Sequence, residues 1–316
     1  MYKSAVVFAY HNVGVRCLQV LLARGVHIKL VVSHQDNPNE AIWFESVVAL
    51  CRQHGIACIT PEPSQLAEVA QQVSALDPDL IFSFYYRHML PVSLLALAKG
   101  GAYNMHGSLL PKYRGRVPVN WAVLHGETET GMSLHEMTAK PDAGAIIDQS
   151  SVPILPDETA FQVFGKLTVL AEQILWRSLP AIMAGVPPKL PNEVSKGSYF
   201  GGRNAEQGRI DWQQSVQQIY NLHRAVAPPY PGAFTDLLGV RLVIGQARLA
   251  SPNTEPHTLQ HLAPGLHVAA GAMFGIGGDG GKIWINQLLC DGKEYSAQQL
   301  QELLTQAGNG APLGQA

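Results

Sequence analysis

The stretch "SAVVFAYHNVGVRCLQVLLARGVHIKLVVS", residues 4–33, decides the fold. It opens with a continuous apolar run, the pattern of a strand covered on both faces. "VGVRCLQVLLARG" then places apolar residues at helical spacing and stops at Gly25. "HIKLVVS" is strand-like again. A strand, a helix and a second strand with short breaks between them form a parallel unit with a covering helix. The pattern continues downstream. "NEAIWFESVVALCRQHG" predicts a helix ending at Gly55, "IACIT" a short strand, "SQLAEVAQQVSAL" a helix and "DLIFSFY" a strand. "LPVSLLALAKG" reads as a helix, "GAYNM" as a strand and "PVNWAVLHG" as a helix. "TGMSLHEMT" and "AGAIIDQSSVPI" read as strands, and "ETAFQVFGKLTVLAEQILWRSLPAIMAG" as one long helix. The expected architecture is α/β, a Rossmann-like parallel sheet covered by helices.

That alternation ends near Gly185. Residues 1–190 are expected to form the larger domain. Residues 191–208, within a stretch rich in Pro, Gly and polar side chains, read as a linker. A helix, "SVQQIYNLHRAV", and the strands "GAFTDLL", "VRLVIGQARL", "HVAAGAMFGI" and "KIWINQLL" follow. Over residues 209–305 they suggest a small, OB-like β-barrel domain, with a tail over 306–316.

Composition bounds the function. The 316 residues are 47% hydrophobic and 15% charged, with a net charge of -2. A large core is available, and bulk electrostatic capture of DNA or RNA is disfavoured. No apolar stretch approaches the roughly 20 residues that span a bilayer, and Ala5 to Tyr10 is too short for a secretory signal core. Cys17, Cys51, Cys58 and Cys290 lack zinc-type spacing and read as reduced thiols. A cytoplasmic protein is expected.

Nucleotide and metal fingerprints are missing where they would count. After the first strand only Gly14 is present, so G-x-G-x-x-G fails there. Gly275, Gly277 and Gly280 match that spacing, but "GIGGDGG" lies between two strands and reads as a hairpin loop. His125 and His135 fall on different predicted elements, and none of the twelve histidines forms a zinc motif. No metal is expected.

"NMHGSLLPKYRGR", residues 104–116, is the chemical candidate. Asn104 and His106 lie just past the carboxyl end of a predicted strand, where ligands bind in open α/β sheets. Two residues apart on extended backbone, they face the same side. An amide N–H can hold a developing oxyanion, and an imidazole can move a proton near neutral pH. Asp142, in the turn "KPDAGA", could raise the basicity of His106. Spacing alone equally allows a turn asparagine, a satisfied loop histidine and an ordinary turn aspartate.

The run "NMHGSLLPKYRGRVPVNWAVLHGETETGMSLHEMTAKPDAGAIIDQ" resembles the core of the folate-dependent formyltransferases. Their pattern of Asn-x-His, Ser-Leu-Leu-Pro and a downstream Asp-x-Gly stands here as Asn104 with His106, Ser108 to Pro111, and Asp142 with Gly144. "VVFAYHNVG", "HQDNPNE" and "FSFYYRH" are similar to the formyltransferase domain of the bifunctional enzyme acting on UDP-4-amino-4-deoxy-L-arabinose. The likeness runs from about residue 4 to "PPYPGAF" at 228–234. The decarboxylase half of that enzyme is not expected here. The family often reads Pro-Trp-Pro-Gly where this chain has Tyr230, and "FGRR" where it has "FGGR".

The resemblance implies N10-formyltetrahydrofolate as donor and a primary amine on a nucleotide-linked sugar as acceptor, with UDP-4-amino-4-deoxy-L-arabinose foremost. In that setting the product feeds lipid A modification and polymyxin resistance. It implies catalytic roles for Asn104, His106 and Asp142, with protonated His106 helping to hold the oxyanion. It implies a folate pocket lined by His88, Met89, Leu90, Arg116, Thr138, Ala139, Lys140 and Pro141. Tyr10, Arg203 and Tyr230 are candidates for gripping the acceptor. The alternatives are a dTDP- or GDP-linked amino sugar, or methionyl-tRNA. Residues 209–316 carry six basic against seven acidic side chains, a poor footprint for tRNA. The expected partner is a small molecule, without DNA, tRNA or membrane insertion, and a homo-oligomer is compatible with the reading.

Overall fold

The computed structural model describes residues 3–38, 40–250 and 262–308. The chain divides into two compact units. One comprises residues 1–118, 129–153 and 164–202; the other comprises 119–128, 154–163 and 203–316.

The first unit is built on β1 (Ser4–Ala9), β2 (His27–Val32), β3 (Cys58–Ile59), β4 (Leu80–Phe84) and β5 (Ala102–His106). A two-residue strand, β6 (Arg114–Gly115), follows, then β7 (Glu129–Glu136) and β8 (Ile146–Pro153). The main sheet has the order β3-β2-β1-β4-β5-β7-β8. The first five strands are parallel; β7 pairs antiparallel with β5, and β8 antiparallel with β7. The expected parallel sheet therefore carries an antiparallel edge, a common addition to doubly wound folds. Every residue of β1 and β4 is buried, which explains why both read as continuous apolar runs. Successive connections leave β1 in opposite directions, so the switch point lies between β1 and β4.

The helices of the first unit are α1 (His11–Ala23), α2 (Val47–Gln53), α3 (Leu66–Leu76) and α4 (Val92–Leu95); α5 (Pro118–Leu124) falls in the second unit from Val119 on, and α6 (Ala160–Ala184) belongs to the first from Phe164 on. Val6, Phe8, Leu30, Val32 and Ile81 of the sheet form one core cluster with Val69 and Val73 of α3 and Leu94 of α4. The helix expected from residue 39 begins only at Val47. Ser46 caps it by accepting from the Ala49 N–H. Ahead of it Trp43 and Phe44 pack their rings on His11, at 4.6 and 4.0 Å between centroids, so tertiary contact replaces two helical turns.

The stretch read as a linker is hydrogen-bonded into the first unit as far as Phe200. β9 (Tyr199–Phe200) pairs in parallel with β6, and just ahead of the stretch Leu190 exchanges hydrogen bonds with Ile146. The backbone donors of a proline- and glycine-rich strap still need partners; Ser198 N–H finds Pro111 O, and Leu190 N–H finds Ile146 O.

The second unit contains α7 (Val216–Val226) and a curled antiparallel half-barrel. Its strands are β10 (Ala233–Leu237), β11 (Val240–Leu249), β12 (Gly265–Ala269), β13 (Ala272–Ile276), β14 (Lys282–Cys290) and β15 (Lys293–Glu294). The order is β10-β11-β14-β13-β12, with β15 on β14. "HVAAGAMFGI" was expected as one strand but folds as the hairpin β12–β13, turning at Ala270 and Gly271, both at positive φ. "GIGGDGG" is the turn into β14, with the Gly277 N–H donating to Gly281 O. A further helix, α8 (Ala297–Gln306), starts on a Ser296–Gln299 capping box. The tail beyond residue 308 lies outside the described residues.

Candidate active site

β5 ends at His106, and the antiparallel pairing with β7 sets Asn104 opposite His135 and His106 opposite Ser133. Residues directly opposite in such a ladder share a face, so Asn104, His106, Ser133 and His135 form one polar patch on an otherwise apolar sheet. The turn after β7 brings a carboxylate onto that patch. Asp142 Oδ1 lies 3.5 Å from Asn104 Nδ2, 3.5 Å from His106 Nδ1 and 3.4 Å from His135 Nε2. Its Oδ2 accepts from the Gly115 N–H at 2.9 Å. His106 and Asp142, thirty-six positions apart, are thus closed into one contact.

Backbone carbonyls fix both rings. His106 Nε2 donates to Tyr113 O at 2.8 Å, and His135 Nδ1 donates to Glu136 O at 2.7 Å. A carbonyl only accepts, so these nitrogens carry the protons of the neutral rings. The bare nitrogens, His106 Nδ1 and His135 Nε2, are the ones beside Asp142. The carboxylate is acceptor-only, so Asn104 turns its Nδ2 toward it and also donates to His135 Nε2 at 3.1 Å.

Burial dominates the electrostatics of the imidazole. His106 is 6% exposed. Desolvation lowers its pKa below the usual histidine value, even though Asp142 and the Tyr113 carbonyl pull it up. Asp142 thus pulls in the expected direction, but burial outweighs it and the net shift is downward, so His106 is neutral at pH 7 before the reaction. For Asp142 the balance falls the other way. Burial pushes its carboxyl up, but positive charge on His106, a hydrogen bond from protonated His135 and the Gly115 N–H pull it down, and the balance lies below the ordinary carboxylate range.

The loop from 107 to 117 is held by hydroxyls. Ser108 is fully buried and donates to Lys112 O at 2.6 Å, so it shapes the loop. Ser133 Oγ donates to Ser108 O and accepts from the Leu110 N–H and from Gln149 Nε2. Tyr113, Gly115 and Val117 all have positive φ, strain of the kind that collects at functional sites. The Asp-x-Gly pair is equally constrained. Asp142 has φ +48, and a Cβ on Gly144 would sit 2.0 Å from Glu136 O. Asn192 donates to the carbonyls of Asp142 and Gly144, both at 3.0 Å.

Sequence reasoning missed His135, Gly115, Tyr113 O and Asn192. A buried serine and histidine two apart in an apolar strand were the available signal for His135; the others act through backbone or from a distant segment.

The remaining sequence-derived candidates are spread more widely. His88 is half-buried, Met89 is 57% exposed, and Leu90 is buried in the core cluster. Thr138, Ala139 and Lys140 form an exposed turn leading through Pro141 to Asp142. Arg116 is exposed, and its backbone N–H donates to Phe200 O. Tyr10, at the end of β1, donates to Asp36 Oδ1 at 2.7 Å. Arg203 and Tyr230 belong to the second unit. Arg203 lies over the Trp121 ring at 4.7 Å and donates to Gln207 O. Tyr230 has its pKa pushed up to about 12, chiefly by burial. Among the described residues, no group of three or more His, Cys, Asp or Glu could hold a metal ion. None of their helices is long and apolar enough to cross a membrane.

A doubly wound sheet that sets an amide, an imidazole and a carboxylate together at a strand's end makes a candidate active site, with the groups suited to hold an oxyanion and move a proton. Comparison with known families agrees. Residues 9–179 match the formyl transferase model, and residues 203–302 match the formyl transferase C-terminal domain. The chain therefore belongs to the formyl transferase family.

Solved structures share the fold. One is the N-formyltransferase from Helicobacter canadensis in complex with folinic acid and dTDP-3-aminofucose. It is 20% identical with a TM-score of 0.70, covering 93% of this chain and 100% of that one. Another is WlaRD, a sugar 3N-formyltransferase in the presence of dTDP and 5-N-formyl-THF. It too is 20% identical with a TM-score of 0.70, covering 93% and 99%. HypX from Aquifex aeolicus in complex with tetrahydrofolic acid is 17% identical with a TM-score of 0.64. It covers 96% of this chain, which spans 48% of HypX.

Proposed function

We propose that the protein transfers a formyl group from N10-formyltetrahydrofolate to the primary amine of a nucleotide-linked amino sugar, with UDP-4-amino-4-deoxy-L-arabinose as the acceptor. The observation that carries this reading is the convergence of Asn104, His106 and His135 on one Asp142 oxygen in a chain of this family. The nucleotide-sugar class is favoured by structural neighbours that hold dTDP or a dTDP-amino sugar together with a folate.

The folate supplies the formyl carbon. The exposed thioether of Met89 beside buried Leu90, and the open backbone of residues 138–141, suit a flat heterocycle with polar edges. His88 and Arg116 flank that position in the proposal.

Attack of the amine on the formyl carbon creates an oxyanion and an ammonium. One Asn104 N–H is committed to His135 at 3.1 Å, and the other, which reaches Asp142 Oδ1 only at 3.5 Å, turns from that long contact to the oxyanion. Such a donor is typically worth ~2.7–4 kcal/mol. His106 rests neutral, so it serves first as base, taking the ammonium proton on Nδ1. The imidazolium is then held by ionised Asp142 and returns the proton to the departing folate nitrogen. Positioned proton transfer of this kind contributes ~10²–10⁴-fold.

The test is release of tetrahydrofolate from N10-formyltetrahydrofolate with acceptors supplied one at a time. UDP-4-amino-4-deoxy-L-arabinose comes first, then dTDP-linked amino sugars, then methionyl-tRNA. Turnover with the UDP sugar alone is expected. Turnover only with another acceptor reassigns the substrate, and none with any of them overturns the reading.

A further inference from the structure

A polar cavity lies in the first unit, and its lining does not include Asn104, His106 or Asp142. It measures about 320 Å³ and is lined by Tyr10, Ser33, His34, Asp36, Ser46 and Thr60, among others. Tyr10 follows β1, Ser33 follows β2 and Thr60 follows β3. The cavity therefore opens at the carboxyl ends of the strands, on the β2 side of the switch point. His106 ends β5, two strands beyond β1. At ~4.8 Å per strand the two places are roughly 10–14 Å apart along the sheet edge.

A buried hydroxyl points to a polar ligand in this cavity. Ser33 is 1% exposed, yet its hydroxyl has no hydrogen-bond partner among the described residues. A buried hydroxyl without a partner is costly unless a ligand or water meets it. Asp36 is held from one side only. The side chain is exposed at the cavity mouth, where its Oδ1 accepts from the Tyr10 hydroxyl at 2.7 Å, leaving Oδ2 to solvent or a ligand. His34 is fixed as well, accepting the Arg87 N–H at 2.9 Å and stacking on Tyr86 at 4.2 Å.

We infer that this cavity binds the ribonucleoside end of the acceptor and that Asp36 selects ribose over 2′-deoxyribose. The inference rests on the nucleotide-sugar reading above. An ionised carboxylate accepts and never donates, so it seeks paired hydroxyl donors, and a ribose 2′,3′-diol offers two. In doubly wound folds an acidic side chain beyond the second strand receives ribose hydroxyls. Asp36 occupies that place here, although the glycine fingerprint is absent. The separation from His106 suits a diphosphate bridging a nucleoside and an amino sugar. Removing the 2′-hydroxyl leaves a charged acceptor one donor short, a loss of about 10-fold or more in affinity.

The experiment is calorimetric titration of the full chain with UDP, GDP, ADP and CDP and with their 2′-deoxy counterparts. For the base that binds tightest, the ribonucleotide should bind at least ~10-fold more tightly than its deoxy form. Asp36→Ala should bring the two within threefold, and Tyr10→Phe should narrow the gap. Urea unfolding of each variant confirms that the exposed loop change leaves the fold intact. Equal affinity for both sugars in the wild type, a preference surviving in Asp36→Ala, or no binding of any diphosphate overturns the inference. Because binding is read without folate or amine, failure of formyl transfer stays distinguishable from failure of this site. Transfer to UDP- and dTDP-linked amines at equal efficiency would keep the transfer chemistry and reject the role of Asp36.

Discussion

Asp142→Asn changes one atom's chemistry and almost no volume. The wild-type carboxylate stays ionised across the physiological range, because its partners hold its pKa well below the ordinary value. In the variant the Gly115 N–H still requires an acceptor, so the amide oxygen turns toward it and the NH2 faces His106 Nδ1 and His135 Nε2. Those nitrogens are bare in the neutral rings, and the new donor holds them so. Once His106 takes a proton, the wild type gains an ion pair at 3.5 Å between side chains that are 7% and 12% exposed. At an effective dielectric near 20, a pair at that distance is worth about 4–5 kcal/mol. The amide dipole and residual water recover part of this, leaving a net loss of about 3–4 kcal/mol, or ~10²–10³-fold in rate. Single-turnover release of tetrahydrofolate measures it, with thermal unfolding as the control for structure.

The pH profile separates this cause from a packing defect. His106 works as a base only when neutral, so the wild-type rate falls as pH drops through its pKa, which lies below 6.5. Removing the anion destabilises the imidazolium and lowers that pKa further. The acidic limb should therefore move to lower pH in Asp142→Asn. A rate within threefold of wild type, or a limb that moves upward, would refute the proposed coupling.

His106→Ala should slow turnover at least ~100-fold with the melting temperature changed little, and wild-type-like turnover would remove it from the chemistry. Ser133→Ala deletes the hydroxyl that donates to Ser108 O and accepts from Leu110 and Gln149; urea unfolding should show a loss of about 1–3 kcal/mol. Gly144→Ala places a methyl against Glu136 O, and a cost of at least about 1–3 kcal/mol together with lost activity is expected in the same assays. His223 is 2% exposed, and burial lowers its pKa to about 4. Between pH 6.5 and about 4 the unfolded chain takes up a proton that the folded chain refuses, so stability falls with acidification by up to about 1.4 kcal/mol per pH unit. His223→Gln should flatten that slope in melts taken across this window, and an unchanged slope would contradict the assignment.

Local rules were enough for much of this. Apolar runs at residues 4–9 and 80–84 specify covered parallel strands because burial on both faces leaves no alternation to disguise them. The two-residue spacing of Asn104 and His106 on extended backbone puts both on one face wherever the strand docks. The motif from Asn104 to Gly144 carried the family reading, since side-chain identity at fixed spacing is a property of the chain itself. Direction and register were beyond its reach. Nothing local says that β7 turns back antiparallel and sets His135 opposite Asn104. The helix foreseen from residue 39 lost its first turns to ring packing on His11. The proline- and glycine-rich stretch before residue 203 became a strap whose Asn192 clamps the Asp142 turn. The charge state of His106 was settled by burial, which depends on every element packed around the ring. Desolvation and hydrogen-bond closure are sums over neighbours distant in sequence, and only the folded chain brings those neighbours together.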